Sequence, residues 1–176
     1  MEVPIQHIIG TIALMGLVIS IGLSYTIITD FLQTDTRRQQ LQEISENVAL
    51  HVVEIVNLAN FGNSGSGVMT CTLNLPSDVA GKTYIVEIFE DGTSLPNSWY
   101  INAYLVTNHN INATSLIPLR AGQSKTQLET TSGTLAEITY GPIYGGGNNT
   151  VVWAQKTKTE ETEITRAGLG RLSAGG

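Results

Sequence analysis

The residues able to do chemistry are few and far apart. Histidine occurs three times, at His7, His51 and His109, and no two stand at the spacing that puts a pair of imidazoles on one metal ion. The single cysteine, Cys71, excludes an internal disulfide. No basic residue lies near it in the chain to favour the thiolate, so it reads as a small apolar residue of a strand rather than a nucleophile. Neither a Gly-x-Ser-x-Gly elbow, a phosphate-binding loop nor a Cys-x-x-Cys pair is present. The run Gly145-Gly146-Gly147 lacks the Lys and Ser/Thr of a phosphate cradle and reads as a mobile loop. The clusters Glu90-Asp91 and Glu160-Glu161-Glu163 could hold calcium weakly, but a solvated acidic surface is the plainer reading. The expectation is a chain with no catalytic site, no cofactor and no metal.

What organises the chain is instead its first third. Residues 3–29 carry no charge with His7 neutral, and are rich in Ile, Leu and Val. About 20 apolar residues in a helix cross the hydrocarbon core of a bilayer. Beyond Asp30 the pattern becomes amphipathic: Leu41, Ile44, Val48, Val52 and Ile55 recur at three- and four-residue spacing, with Arg37, Arg38, Glu43, Glu46 and Glu54 elsewhere around the wheel. Residues 1–60 are therefore expected to form one helix, apolar and then amphipathic. The stripe is expected to pack on the sheet of its own chain, because it lasts too few heptads to demand a coiled coil. Within the apolar half, Gly16, Ser20 and Ser24 lie at four-residue spacing with Ala13 beside them, a face narrow enough for another helix to approach closely. Gly and Ser are also common in membrane helices generally, so this face has an ordinary reading too.

A Gly/Asn/Ser cluster at 61–67 ends the helix and supplies a linker. From residue 68 the period switches to two, and 68–166 reads as a β-rich head. Strands are expected at 68–75, 84–89, 99–106, 135–140 and 150–158, with a final one at 161–166. The first two read as a hairpin or as neighbours. Residues 111–119 read as extended and irregular, ending at a sheet edge at Pro118. Short strands with no helical pattern between them imply an α+β chain whose head is an antiparallel β-sandwich or partly closed barrel. The last segment, 167–176, reads as a flexible tail.

Charge narrows the partners. The formal charge of −6 with only nine scattered Lys and Arg gives no basic face for nucleic acid. Two sequons, Asn112-Ala113-Thr114 and Asn148-Asn149-Thr150, make Asn112 and Asn148 candidate N-glycosylation sites and, with the Ser-, Thr-, Asn- and Gly-rich head, point to an extracellular surface. Arg37 and Arg38 after the apolar run would by the positive-inside rule place the head in the cytoplasm. Met1-Glu2-Val3-Pro4 offers no basic n-region, so the start is not a conventional cleavable signal. A basic leader removed ahead of residue 1 would reconcile these signs.

A long N-terminal helix, apolar then amphipathic, followed by a β-rich head with sequons resembles the archaeal type IV pilins and the related archaellins. The stretch Leu73-Asn74-Leu75-Pro76, then Val79-Ala80-Gly81-Lys82-Thr83-Tyr84-Ile85-Val86, is similar to a pattern in archaeal pilin-like surface proteins. Bacterial type IV pilins carry a glutamate at the fifth mature position, where this chain has Ile5. The resemblance implies a chain held in membrane lipid before assembly, processed by a prepilin peptidase, and extracted by an assembly ATPase on a membrane platform. It would then stack with copies of itself into an extracellular filament for adhesion or surface contact. Two other readings stand beside it: an archaellin serving motility, and a non-polymerising single-pass anchored binding module.

Overall fold

The computed structural model describes residues 5–61, 67–91, 98–119, 125–159 and 162–173. Pro4, residues 62–66 of the linker, Gly92, the Glu160-Glu161 pair and residues 174–176 of the tail lie outside them. The chain divides into two compact units, Met1–Thr36 and Arg37–Gly176. One helix, α1 (Ile5–Phe61), contributes to both. No proline occurs between Pro4 and Pro76, so nothing in this stretch removes a helix hydrogen bond or clashes with the preceding turn.

In the first unit, every large apolar side chain from Ile8 to Leu32 is more than half exposed. The hydroxyls turn back on their own helix. Ser24 donates to the carbonyl of Ser20 at 2.9 Å, Thr26 to Gly22 at 3.1 Å and Thr29 to Tyr25 at 2.8 Å. Thr34 and Thr36 repeat the arrangement on Asp30 and Leu32, each at 2.9 Å. A hydroxyl that has satisfied its proton on the i−4 carbonyl can enter an apolar medium at little cost.

The second unit builds a core from the amphipathic part of α1 and two sheets. Strands β1 (Val68–Thr72), β9 (Thr150–Thr159), β10 (Thr162–Leu172), β7 (Ile138–Tyr140) and β6 (Gly133–Leu135) lie side by side in that order, and β5 (Lys125–Leu128) also pairs with β10. The β5·β10 pairing is parallel; the other pairings of this sheet are antiparallel. The second sheet, wholly antiparallel, runs β4 (Asn108–Ile117), β3 (Ser98–Leu105), β2 (Tyr84–Asp91), β8 (Ile143–Tyr144). Neither closes into a barrel, and the architecture is α+β.

Strand alternation sorts the faces. Val86, Ile88, Ile101, Ala103, Ile111, Ala113 and Ile117 point into the main core, and Val152, Ala154, Ala167 and Leu169 enter it from the other sheet. Leu41, Ile44, Val48, Val52 and Ile55 of α1 are buried in the same core. Each such side chain contributes roughly 1.5–3 kcal/mol of transfer free energy. The first sheet has a second, smaller apolar cluster of Val151, Trp153 and Ile138, flanked by Tyr140 and Leu135. Trp153 is fully buried there, its indole beside Tyr140 with ring centroids 5.3 Å apart.

Several sequence expectations need correction. The first two strands do not form a hairpin: β1 pairs with β9 in one sheet and β2 with β3 in the other. The connector between them buries Leu73 and Val79 in the core and carries a tight turn of its own at Ala80-Gly81, closed by the paired backbone hydrogen bonds of Val79 and Lys82, so it joins the two sheets as packed structure. Residues 135–140 are not one strand, because the chain reverses at Ala136, whose φ of 50° brings Leu135 opposite Ile138. Residues 111–117 are regular rather than irregular, alternating buried and exposed along β4. The segment 167–172, expected as a loose tail, is the second half of β10, with Ala167, Gly168, Leu169 and Gly170 buried between β9 and its neighbours. Its small residues are needed for close approach, since Gly168 lies directly under the Trp153 indole.

Candidate functional site

The feature that demands a partner is the apolar half of α1. Fifteen large apolar side chains, Ile8 through Leu32, stand exposed along it. Leaving that surface in water would cost on the order of tens of kcal/mol. An exposed apolar surface of this extent is the kind that lipid or other protein covers. The helix is long and apolar enough to cross a membrane, and no part of its apolar window is buried within the chain. Ala13, Gly16, Ser20 and Ser24 all lie on this exposed stretch, and a side chain added at Gly16 would meet open space. Within this face the Ser24 hydroxyl is already partnered, donating to the Ser20 carbonyl.

Further exposed apolar side chains lie on α1 in the second unit. Leu50, Leu58 and Phe61 are exposed at positions i, i+8 and i+11, which fall on one side of a helix. Glu54 and Asn57 fall between them on the same side, so the sequence shows no continuous apolar stripe there.

Among the described residues, the polar candidates are not assembled into a catalytic constellation. Cys71 is not without a base, as its neighbours in sequence suggested: its Sγ lies 4.0 Å from His51 Nδ1, twenty residues away on α1. Glu54 Oε2 approaches the same Nδ1 at 3.5 Å. Both contacts fall on one ring nitrogen, so the imidazole cannot take a proton at one face and be oriented at the other, as a nucleophile–His–acid relay requires. Glu163 of the acidic cluster is ion-paired with Lys156 at 3.1 Å. Among the described residues no group of three His, Cys, Asp or Glu side chains could hold a metal ion.

The Gly145-Gly146-Gly147 run is a packed turn and not a mobile loop. The amide of Gly145 donates to the carbonyl of Tyr84 at 2.9 Å, and that of Gly146 to Pro76 at 3.1 Å. Tyr84 is fully buried, and its hydroxyl donates to the Pro76 carbonyl at 2.8 Å. Burial, reinforced by the Asp78 carboxylate, pushes the Tyr84 phenol up to about 12.

On the outer face of the second sheet, Asn102 donates to Glu87 at 3.2 Å, and the Tyr104 hydroxyl donates to the same carboxylate at 3.4 Å. Phe89 and Tyr100 stack beside them at 5.3 Å. The two sequon asparagines are placed differently. Asn112 is exposed on β4 with Thr114 also exposed; Asn148 is exposed in the turn before β9, but its Thr150 is buried.

No protein-family model, no curated protein and no solved structure matches this chain.

Proposed function

We propose that the chain is a structural subunit of an extracellular helical filament of the archaeal type IV pilin kind, polymerising through the apolar half of α1. The observation that carries this reading is the exposed apolar helix surface from Ile8 to Leu32, uncharged as far as Thr29. Before assembly lipid covers it, and in the filament identical helices do, so the transfer costs little hydrophobic free energy and gains helix–helix contact at Ala13, Gly16, Ser20 and Ser24. The self-bonded hydroxyls of Ser24, Thr26 and Thr29 suit both media. The exposed Leu50, Leu58 and Phe61 offer apolar contact to neighbouring copies along the amphipathic part. No catalytic role is assigned.

One further reading has an observation of its own. The same helix meets the length and composition of a membrane span, which suits a single-pass anchor for a binding module that never polymerises. Replacing Gly16 or Ser20 with Leu separates the two. A filament subunit should lose assembly with its β-rich unit still folded, because the added side chain holds neighbouring helices apart. Filaments of normal abundance and diameter from both variants would remove the packing face from the account.

A further inference from the structure

The two sequons read alike in sequence, but the fold treats them differently. Transfer of a glycan to asparagine requires the transferase to engage both the Asn amide and the hydroxyl two residues on. In Asn148-Asn149-Thr150 that hydroxyl is spent. Thr150 is buried, its Oγ1 donates to the Leu73 carbonyl at 3.1 Å, and the backbone of Leu73 donates back to Thr150 at 2.8 Å. The carbonyl of Asn149 accepts from Leu172 at 3.0 Å, which fixes the rest of the tripeptide. In Asn112-Ala113-Thr114 the alternation of β4 puts Asn112 and Thr114 on the exposed side and buries only Ala113. β4 is an edge strand, so one side of its backbone is open to a second protein.

Beside it lies a cleft of about 400 Å³ between β4 and α1, lined by Arg38, Gln39, Gln42, Asn112, Ala113 and Thr114. It is open and shallow and offers guanidinium, amide and hydroxyl groups beside a comparable share of apolar surface, a mixture that suits the hydroxyls and the C–H face of a sugar. We propose that Asn112, and not Asn148, is the N-glycan acceptor of the folded chain, and that the first sugar occupies this cleft against Arg38.

The chemistry is compatible with the local bonding. The Asn112 Nδ2 forms a bond to the anomeric carbon of a polyprenyl-phosphate-linked oligosaccharide. The bond from that carbon to the phosphate breaks, the lipid phosphate leaves with the electron pair, and one amide proton passes to a base of the transferase. The Nδ2 donates at 3.2 Å to the carbonyl of His109, and the hydrogen left after transfer can keep that bond and hold the linkage beside the cleft. The inference rests on an extracellular location only for where the reaction happens in the cell.

The test uses the purified full chain, folded in detergent micelles, with a purified single-subunit oligosaccharyltransferase and its lipid-linked oligosaccharide. Site occupancy is read by mass spectrometry, and assembly plays no part in the outcome. Synthetic peptides carrying each sequon serve as unfolded controls, and both should be modified. In the folded chain Asn112 should be modified and Asn148 should lag at least about tenfold, as expected when a buried hydrogen bond must first be broken. The sugar should raise the thermal midpoint by about 2–4 °C, reversed on enzymatic release. Arg38→Ala should abolish that rise without changing occupancy. Equal modification of both sites, modification of Asn148 alone, or a bare folded chain beside modified peptides would each overturn the assignment. An unchanged midpoint, or an undiminished rise in Arg38→Ala, would overturn the seat.

Discussion

The hydroxyl of Ser45 on α1 meets that of Ser115 on β4 at 2.6 Å, both buried. Ser45 also lies 2.9 Å from the Gln42 carbonyl, and the Gln42 amide reaches Ser115 at 3.3 Å, so helix and edge strand share one small polar knot inside an apolar core. Removing one hydroxyl leaves the other buried with Gln42 as its remaining partner, so the loss is that of one hydrogen bond, about 1 kcal/mol. Ser45→Ala or Ser115→Ala should lower stability by that amount. The double variant should cost less than the sum of the two, since the single Ser45–Ser115 bond is lost in each. Urea unfolding of the full chain in micelles, followed by the fluorescence of Trp99 and the buried Trp153, measures both.

Gly145 marks the turn that sequence alone suggested was loose. A Cβ there would overlap the ring of the fully buried Tyr84. Gly145→Ala should therefore destabilise by about 1–3 kcal/mol, the usual cost of forcing atoms into a filled core. A change within about 0.5 kcal/mol, ordinary for an exposed loop, would show that the turn is not packed as described.

Ala136 holds a left-handed backbone, φ 50°, in the two-residue turn between β6 and β7. An L side chain with a Cβ pays for that conformation, whereas Gly or Asn adopts it readily. Ala136→Asn should raise stability by about 0.5–1 kcal/mol, read as a higher urea midpoint with an unchanged slope. A lower midpoint would contradict the turn.

The Tyr84 phenol, pushed up to about 12 from its ordinary value of 10.0, binds its proton more tightly folded than unfolded. Its contribution to stability is thus fully present below pH 10 and is lost as pH rises through about 12. Tyr84→Phe should flatten the loss of stability in that window. An alkaline profile identical in both proteins would mean that some other group governs it.

The helix and most strands were legible because their signals are strong and local: an uncharged run without proline, twofold alternation from residue 68, and a dense stretch of β-formers at 84–89. What escaped was long-range or chemically quiet. Nothing in residues 68–72 says that their partner is β9 rather than β2; that choice is made by Leu73 and Val79, whose burial turns the connector into a crossover. The turn at Ala136 lacks the Asn-Gly signature that marks such reversals. The segment 167–172 looked like a tail because small residues usually signal looseness, yet Gly168 is small so that the Trp153 indole can lie over it. The meeting of Cys71 with His51, and the different fates of the Asn112 and Asn148 sequons, depend on contacts between distant elements that spacing cannot show.

The central claim is that the apolar half of α1 is covered by copies of itself in a filament. The direct measurement is to shear surface filaments from the source cells and examine them by electron microscopy, with mass spectrometry to identify the subunit. The account predicts abundant, regular filaments composed of this chain, with the surface from Ile8 to Leu32 buried in a central bundle of helices. Finding the chain only in the membrane fraction, with no filament containing it, would contradict the account and leave the helix as an anchor.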